Sequence, residues 1–372
     1  MRTTQAMLAN NSLRHLSNNY KNMSKVQDQL ATGKKISRAS QDPVVAMNGM
    51  RYRTQVTEVE QFKRNLGEVY NWMDTADATL DKVTNTLQRI RELTVQASND
   101  TYESTQRGNM AKEVEQLREH LIALANTKSN NKFIFNGTNT TNPPVDTTKI
   151  NLSADVLQPG SPDLASLEIT YNGELYKFDT ADTFKSATGK TINIANDNGA
   201  ISISHNFLDK DNNQVSQKIT GGDIVISDRT AVSTNGQNVN IEVLKGVNIA
   251  VNINPANVFS NDFFGELIRL ENTLKNPATK AEDLTKFLSS ISGQLDRVVN
   301  ERAELGARVN RVEMIEDRVM EQEVIAKRIL SNNEDADMEK VIIDLKTQES
   351  VHRAALAAGA RIIQPTLMDF LR

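Results

Sequence analysis

The 372-residue chain has no cysteine, which excludes disulfides, thiolate nucleophiles, iron-sulfur clusters and cysteine-ligated zinc. Histidine is nearly as scarce. His15, His120, His205 and His352 are scattered singly, without metal-ligand spacing, so neither a metal nor a cofactor is expected. Aromatic residues are 5% and hydrophobic residues 38% of the chain, and mean hydropathy is -0.48, less core-forming material than an enzyme of this length usually carries. Forty-three Lys and Arg against 47 Asp and Glu give a net charge of -4, which provides no basic field for nucleic acid or an anionic membrane. The longest near-apolar run, Ala354 to Ala360, is far short of the roughly 20 residues of a membrane span. The start, MRTTQAMLANNSL, lacks the apolar stretch of a secretory signal peptide, so the chain is expected to be soluble or exported by a route that reads no such signal.

Helix breakers are scarce everywhere except the middle. Five of eight prolines and nine of 17 glycines fall between Gly137 and Pro255. Residues 143–254 carry a net charge of -5 and the flanks a net +1. A length beyond what one core usually organises, together with these two shifts, predicts a central block set between two arms.

In the N-terminal arm, Ala6, Ala9, Leu13, Leu16, Tyr20, Met23, Gln27 and Leu30 follow the alternating three-four spacing of a coiled-coil seam. Gly33 suits a helix C-terminal cap, and Asp42-Pro43 reads as an N-cap with proline at the first helical position. The next helix keeps the alternation from Val59 to Ala97 and spans about 55 residues, roughly 80 Å at 1.5 Å per residue. Met110, Val114, Leu117, Leu121 and Leu124 mark a third helix ending near Asn126. The C-terminal arm answers with a heptad series from Leu284 to Leu330, whose polar members are Arg302, Glu316 and Glu323. Asn276-Pro277 separates that series from a shorter helix holding Phe263, Leu267, Leu270 and Leu274. Ser331-Asn332-Asn333 is expected to end the long helix, with a last helix from about Glu334.

The central block alternates at period two, at Val239 to Val243, Val247 to Ile253, Ile201 to Ile203 and Asp223 to Ser227, predicting half-buried strands joined by turns at Asn172-Gly173, Asn198-Gly199 and Asn235-Gly236. The predicted fold class is α+β: the N- and C-terminal arms pair into a long helical coiled-coil shaft, with a central inserted all-β domain. Boundaries are expected at 1–40 with 334–372 for a terminal helical domain, 41–140 with 256–333 for the shaft, and 141–255 for the β domain.

No catalytic constellation emerges. Gly189-Lys190-Thr191 lacks the first glycine of a phosphate loop, Phe184 standing there, and is read as a turn. Asp209, Asp211 and Asn213 lack the glycine and final acid of a calcium loop, with Gln214 and Thr220 in those places. Trp72 beside the seam residue Met73 is expected to pack between helices rather than to anchor a partner. The first helix has too few large seam residues to offset its own ordering, so both chain ends need partners. Their expected assembly interface is Leu13, Leu16, Tyr20, Met23 and Leu30 on the first helix, with Leu345, Leu356, Ile363, Leu367 and Phe370 on the last.

Three stretches carry a family likeness. VQDQLATGKKISRASQDPVVAM (Val26 to Met47), ATLDKVTNTLQRIRELTVQASNDT (Ala78 to Thr101) and ERAELGARVNRVE (Glu301 to Glu313) closely resemble signature segments of the bacterial flagellin family. The opening MRTTQAM, the string LANTKSNNKFIFNGT (Leu124 to Thr138) and the tail PTLMDFLR are similar to the members that sit at the hook-filament junction, more than to filament subunits. The resemblance implies a non-enzymatic structural subunit outside the cell, in a ring of like subunits, between the first hook-associated junction protein and flagellin. It further implies export through the flagellar type III apparatus, with a cytoplasmic chaperone on the C-terminal helix. A filament subunit, flagellin itself, is the alternative.

Overall fold

The structure, a computed structural model, describes residues 5–99, 102–180, 182–197, 200–208 and 213–363. The chain divides into two compact units, one holding residues up to Lys63 and from Glu316 onward, the other Arg64–Ile315.

Long helices supply both units. They are α1 (Gln5–Thr32), α2 (Pro43–Ala97), α3 (Ser104–Ala125), a single turn α4 (Pro255–Val258), α5 (Asn261–Lys275), α6 (Ala281–Glu334) and α7 (Met338–Ile363). The predicted punctuation holds at the start. Gly33, at φ +69, ends α1 with its N–H on Gln29 O at 2.9 Å, and Asp42 caps α2 by accepting from Val44 N at 3.0 Å and Val45 N at 3.1 Å. At the other end the expectation fails. Ser331, Asn332 and Asn333 remain helical, because Asn333 Nδ2 donates to Val45 O at 3.0 Å and Ser331 Oγ to Asp335, and the break falls at Asp335–Asp337.

In the larger unit, α2 buries Leu66, Val69, Met73, Ala76, Leu80, Val83, Leu87, Ile90, Thr94 and Ala97, the predicted three-four seam. Helix α6 buries Leu284, Phe287, Ile291, Gln294 and Val298 at three-four spacing, and then Leu305 and Val312 at intervals of seven. Arg302, a polar seam position, forks onto Asp77 with bonds of 2.7 and 3.1 Å and reaches Asp81 at 2.6 Å. Trp72 is 3% exposed and donates to Glu68 Oε1 at 3.2 Å, so it is a packing residue.

Among the described residues the β strands sit in three sheets. Strands β1 (Lys128–Ser129) and β2 (Lys132–Phe133) form a small hairpin. Strands β3 (Leu167–Tyr171), β4 (Glu174–Thr180), β5 (Thr183–Ser186), β6 (Thr191–Asp197), β7 (Ala200–Leu208), β8 (Gln214–Ile219) and β9 (Val225–Asp228) make one antiparallel sheet in the order β8-β7-β6-β5-β4-β3-β9. The alternating runs β10 (Asn240–Leu244) and β11 (Val247–Ala250) pair with each other as a two-stranded sheet of their own among the described residues. They lie against the helices, where Asn65 Nδ2 on α2 donates to Glu242 O at 2.7 Å. Asn172-Gly173 makes the predicted β3–β4 turn with both φ positive, and Gly189 makes the β5–β6 turn. Asn198-Gly199, Asp209 and Asp211 lie outside the described residues. Asn235-Gly236 is not a hairpin turn. It sits in an irregular segment between β9 and β10, stapled by Asn235 Nδ2 donating to Asn136 O at 3.1 Å.

Strands β3 and β9 also depart from the half-buried expectation, since every residue of β3 is buried. One face meets the cluster of Ile169, Tyr176, Phe184, Ile192, Ile203 and Ile226, and the other is covered by α5. Helix and sheet approach so closely at Gly265 that a Cβ there would stand 2.4 to 2.9 Å from the Thr170 side chain. Glycine in a helix interior ordinarily loses to alanine by about 0.5 to 1 kcal/mol. Here the sign reverses: in urea titrations Gly265→Ala should destabilise by about 1 to 3 kcal/mol, whereas Gly293→Ala on α6, with nothing within 4 Å, should stabilise.

His205 on β7 is 5% exposed, with Nε2 3.0 Å from Tyr176 Oη and its ring 5.1 Å from those of Tyr171 and Phe207. Burial, then the charge of Lys190, pushes its pKa below the ordinary 6.5, with Glu174 opposing. The unfolded chain therefore takes up this proton first. Stability should fall as pH drops through 6.5 toward the depressed value, and melts from pH 7.5 to 5 should lose that share of the slope in His205→Gln.

Candidate assembly interface on the terminal-helix unit

The smaller unit is built from α1, α7, the first turns of α2 and the last turns of α6. Helices α1 and α7 pair antiparallel: Gly33 O accepts from Ala336 N at 2.8 Å, and the Tyr20 and His352 rings lie 6.2 Å apart.

The faces that meet are not those the seam predicts. Toward α7, α1 turns Ser12, Leu16, Asn19, Met23, Val26 and Leu30, all half-buried, and α7 answers with Val341, Leu345, Gln348, His352, Ala355 and Gly359. Both series keep the three-four step, but the α1 contact is turned about 50° from the expected seam, half the angle between successive residues. Of the residues expected in the assembly interface, Leu16, Met23, Leu30 and Leu345 lie in this α1–α7 contact. Leu13 and Tyr20 stand 52% and 63% exposed, and Leu356 is 47% exposed. Ile363 ends α7 with its side chain undescribed, and Leu367 and Phe370 lie outside the described residues. The contact that does form is partly polar, and Gln348 Oε1 and His352 Nδ1 are buried in it without a hydrogen-bond partner.

Apolar surface is concentrated on this unit. Of nineteen large hydrophobic side chains exposed among the described residues, fourteen belong to it. The sequence reading missed Val44, Met47 and Met50 on α2, Met320, Val324 and Ile325 on α6, and Ile342, Ile343 and Val351 on α7. Their signal was available as apolar residues lying off the seam of an otherwise heptad helix.

The two chain breaks join in a short ladder. Lys34 bridges Asp335 antiparallel, Lys35 N donates to Glu334 O at 2.7 Å, and Lys34 Nζ reaches Asp335 Oδ1 at 2.6 Å. That ammonium, with the Ser331 hydroxyl, holds the Asp335 carboxyl below the usual carboxylate range. Among the described residues no group of three or more His, Asp or Glu is placed to hold a metal, and no helix is long and apolar enough to cross a membrane.

Because no described side chain of α1 is fully buried, opening this pair exposes little new apolar surface. In the isolated chain, amides of residues 5–30 and 340–363 should exchange with deuterium well before those of 66–97. Equal protection would contradict that order.

Comparison with known proteins places this helical arm. Residues 4–140 match the family model of the bacterial flagellin N-terminal helical region. Flagellin of Clostridium tyrobutyricum is 35% identical over 121 residues, covering 32% of this chain and 32% of that protein. Flagellar hook-associated protein 3 of Escherichia coli is 28% identical over 145 residues, 39% of this chain and 46% of that protein. The chain thus spans less than half the length of either relative. A solved structure described as a flagellar hook-associated protein from Vibrio parahaemolyticus superposes with a TM-score of 0.54 at 13% identity, over 79% of this chain and 100% of that one, and shares its fold. Over residues 4–140 the chain is similar to the bacterial flagellin N-terminal helical region, and in part of its length it is similar both to flagellins and to hook-associated protein 3.

Proposed function

We propose that the chain is a structural subunit of the bacterial flagellum, an adaptor at the hook-filament junction that couples the hook-side junction protein to flagellin by packing of its terminal helices. The observation that carries this reading is the concentration of exposed apolar side chains on the terminal-helix unit, around a helix pair whose own contact is partly polar. A monomer that leaves Leu13, Tyr20 and Leu356 in water has those residues available for a neighbouring helix. Leu16, Met23, Leu30, Leu345, Ile363, Leu367 and Phe370 are proposed to complete that interface.

In this reading residues 1–40 with 334–372 line the inner tube, 41–140 with 256–333 form the wall, and 141–255 face outward. Like subunits close a ring, the first hook-associated junction protein and flagellin lie on its two sides, and a chaperone holds the C-terminal helix before type III export. The role is mechanical and needs no catalytic residue. A second reading, flagellin itself, is favoured by the 35% identity to the Clostridium protein.

Deletion of the gene separates the two. An adaptor's loss should leave hooks without filaments while flagellin escapes into the medium; a filament subunit's loss leaves no flagellin to escape. Normal filaments in the deletion strain would refute the adaptor. In complementation, Leu13→Ser with Tyr20→Ser should be exported normally and yet fail to restore filaments.

A further inference from the structure

The last residue of α6 is a buried carboxylate, with the Glu334 side chain 8% exposed. Burial of a carboxylate is tolerated only when it is paired and hydrogen-bonded. Arg53 on α2 supplies the pairing, Nε to Oε1 at 2.8 Å and Nη2 to Oε2 at 2.8 Å, and Lys34 Nζ stands 3.6 Å from Oε2. Room for the carboxylate exists because residue 49 has no side chain: a Cβ on Gly49 would lie 2.6 Å from Glu334 Oε1.

This cluster sits where four helix ends meet. The ladder of Gly33, Lys34 and Lys35 with Glu334, Asp335 and Ala336 ties the end of α1 to the start of α7, so neither helix can turn at the joint without the other. Other polar contacts support the joint: Gln29 Nε2 donates to Lys35 O at 2.7 Å, Lys35 Nζ to Asn332 O, and Asn333 Nδ2 to Val45 O. The bidentate bond between Arg53 and Glu334 joins two side chains from long helices at the point where the ladder begins. An arginine fork onto a carboxylate fixes angle as well as distance.

We propose that Glu334 and Arg53 form a positioning clamp that fixes the direction in which the α1–α7 pair leaves α2 and α6. Its consequence for assembly, the choice of neighbour that Leu13 and Tyr20 meet, rests on the function proposed above. The clamp itself does not, and it is tested on the isolated chain. The absence of cysteine allows two spin labels to be placed cleanly, at Ser17→Cys on α1 and Gln55→Cys on α2, both exposed positions.

Pulsed dipolar spectroscopy should read one narrow distance in the doubly labelled parent. Glu334→Gln removes the charge and Gly49→Ala drives a methyl group into the carboxylate without altering charge; each should broaden or split the distribution while far-ultraviolet helix content is retained. An unchanged narrow distance in a folded variant would overturn the clamp, as would a broad distribution already in the parent. Should Glu334→Gln fail to fold, Gly49→Ala decides. If complementation by the adaptor fails altogether while the distances respond as stated, the clamp stands and the assembly reading falls.

Discussion

Burial of one side chain in seven along α6 from Val298 onward is the constraint on which the helical architecture depends. Val298, Leu305 and Val312 continue as Val319 and Ala326 in the other unit, all within 2% exposure. So narrow a stripe is a coiled-coil seam rather than the broad face of a helix lying on a globular core. A seam of small aliphatic residues leaves register weakly determined, because a slip of one heptad replaces one valine or leucine by another. The polar members of the series remove that ambiguity. Arg302 finds two aspartates on α2 in the larger unit, and Glu323 meets Lys63 at 3.1 Å in the smaller one. Such solvent-screened pairs are too weak to hold the helices together, yet they penalise a wrong register in which the charges meet apolar side chains.

A seam cannot hold a β sheet, and α5 does that. Its polar residues meet the sheet face that strand alternation would otherwise turn to water, Asn261 donating to Glu168 at 2.8 Å while Gly265 permits the close approach over Thr170. Glu266 accepts from Gly173 N at 2.7 Å and Arg269 donates to Asn172 Oδ1 at 3.2 Å, so the same helix grips the β3–β4 turn. Strands β3 and β9 gain a second buried face in this way.

That double burial explains what the sequence concealed. The long helices were legible because a three-four alternation repeated over dozens of residues has few competing explanations, and Gly33 and Asp42-Pro43 set their ends by local backbone chemistry. Strands β10 and β11 were legible by alternation. Strand β3 reads Leu-Glu-Ile-Thr-Tyr, and its Glu and Thr look solvent-facing until α5 is known to lie over them. The expected break at Ser331–Asn333 failed for a related reason: residues with turn propensity stay helical when tertiary bonds such as Asn333 to Val45 use their side chains. Neither signal can be found within a short window of sequence.

At the terminal helices the disagreement is itself informative. The most apolar seam of α1 holds Leu13, Leu16, Tyr20, Met23 and Leu30, yet the helix presents α7 with a face in which Ser12 and Asn19 replace Leu13 and Tyr20. Two long apolar helices free to choose would meet through their widest apolar faces. The joint denies them that freedom, since the ladder at Gly33 and Asp335 sets where α1 ends and α7 starts and the Glu334 carboxylate lies beside it. The result is a pair that buries Gln348 Oε1 and His352 Nδ1 unpartnered, at about 1 to 3 kcal/mol for each such atom, while leaving side chains in water that would each gain about 1.5 to 3 kcal/mol on burial. A pair arranged for the isolated chain alone would have no reason to combine both penalties. They are compatible with one another when the exposed stripe is covered by a further helix, and the geometry of the joint then decides from which side that helix must come.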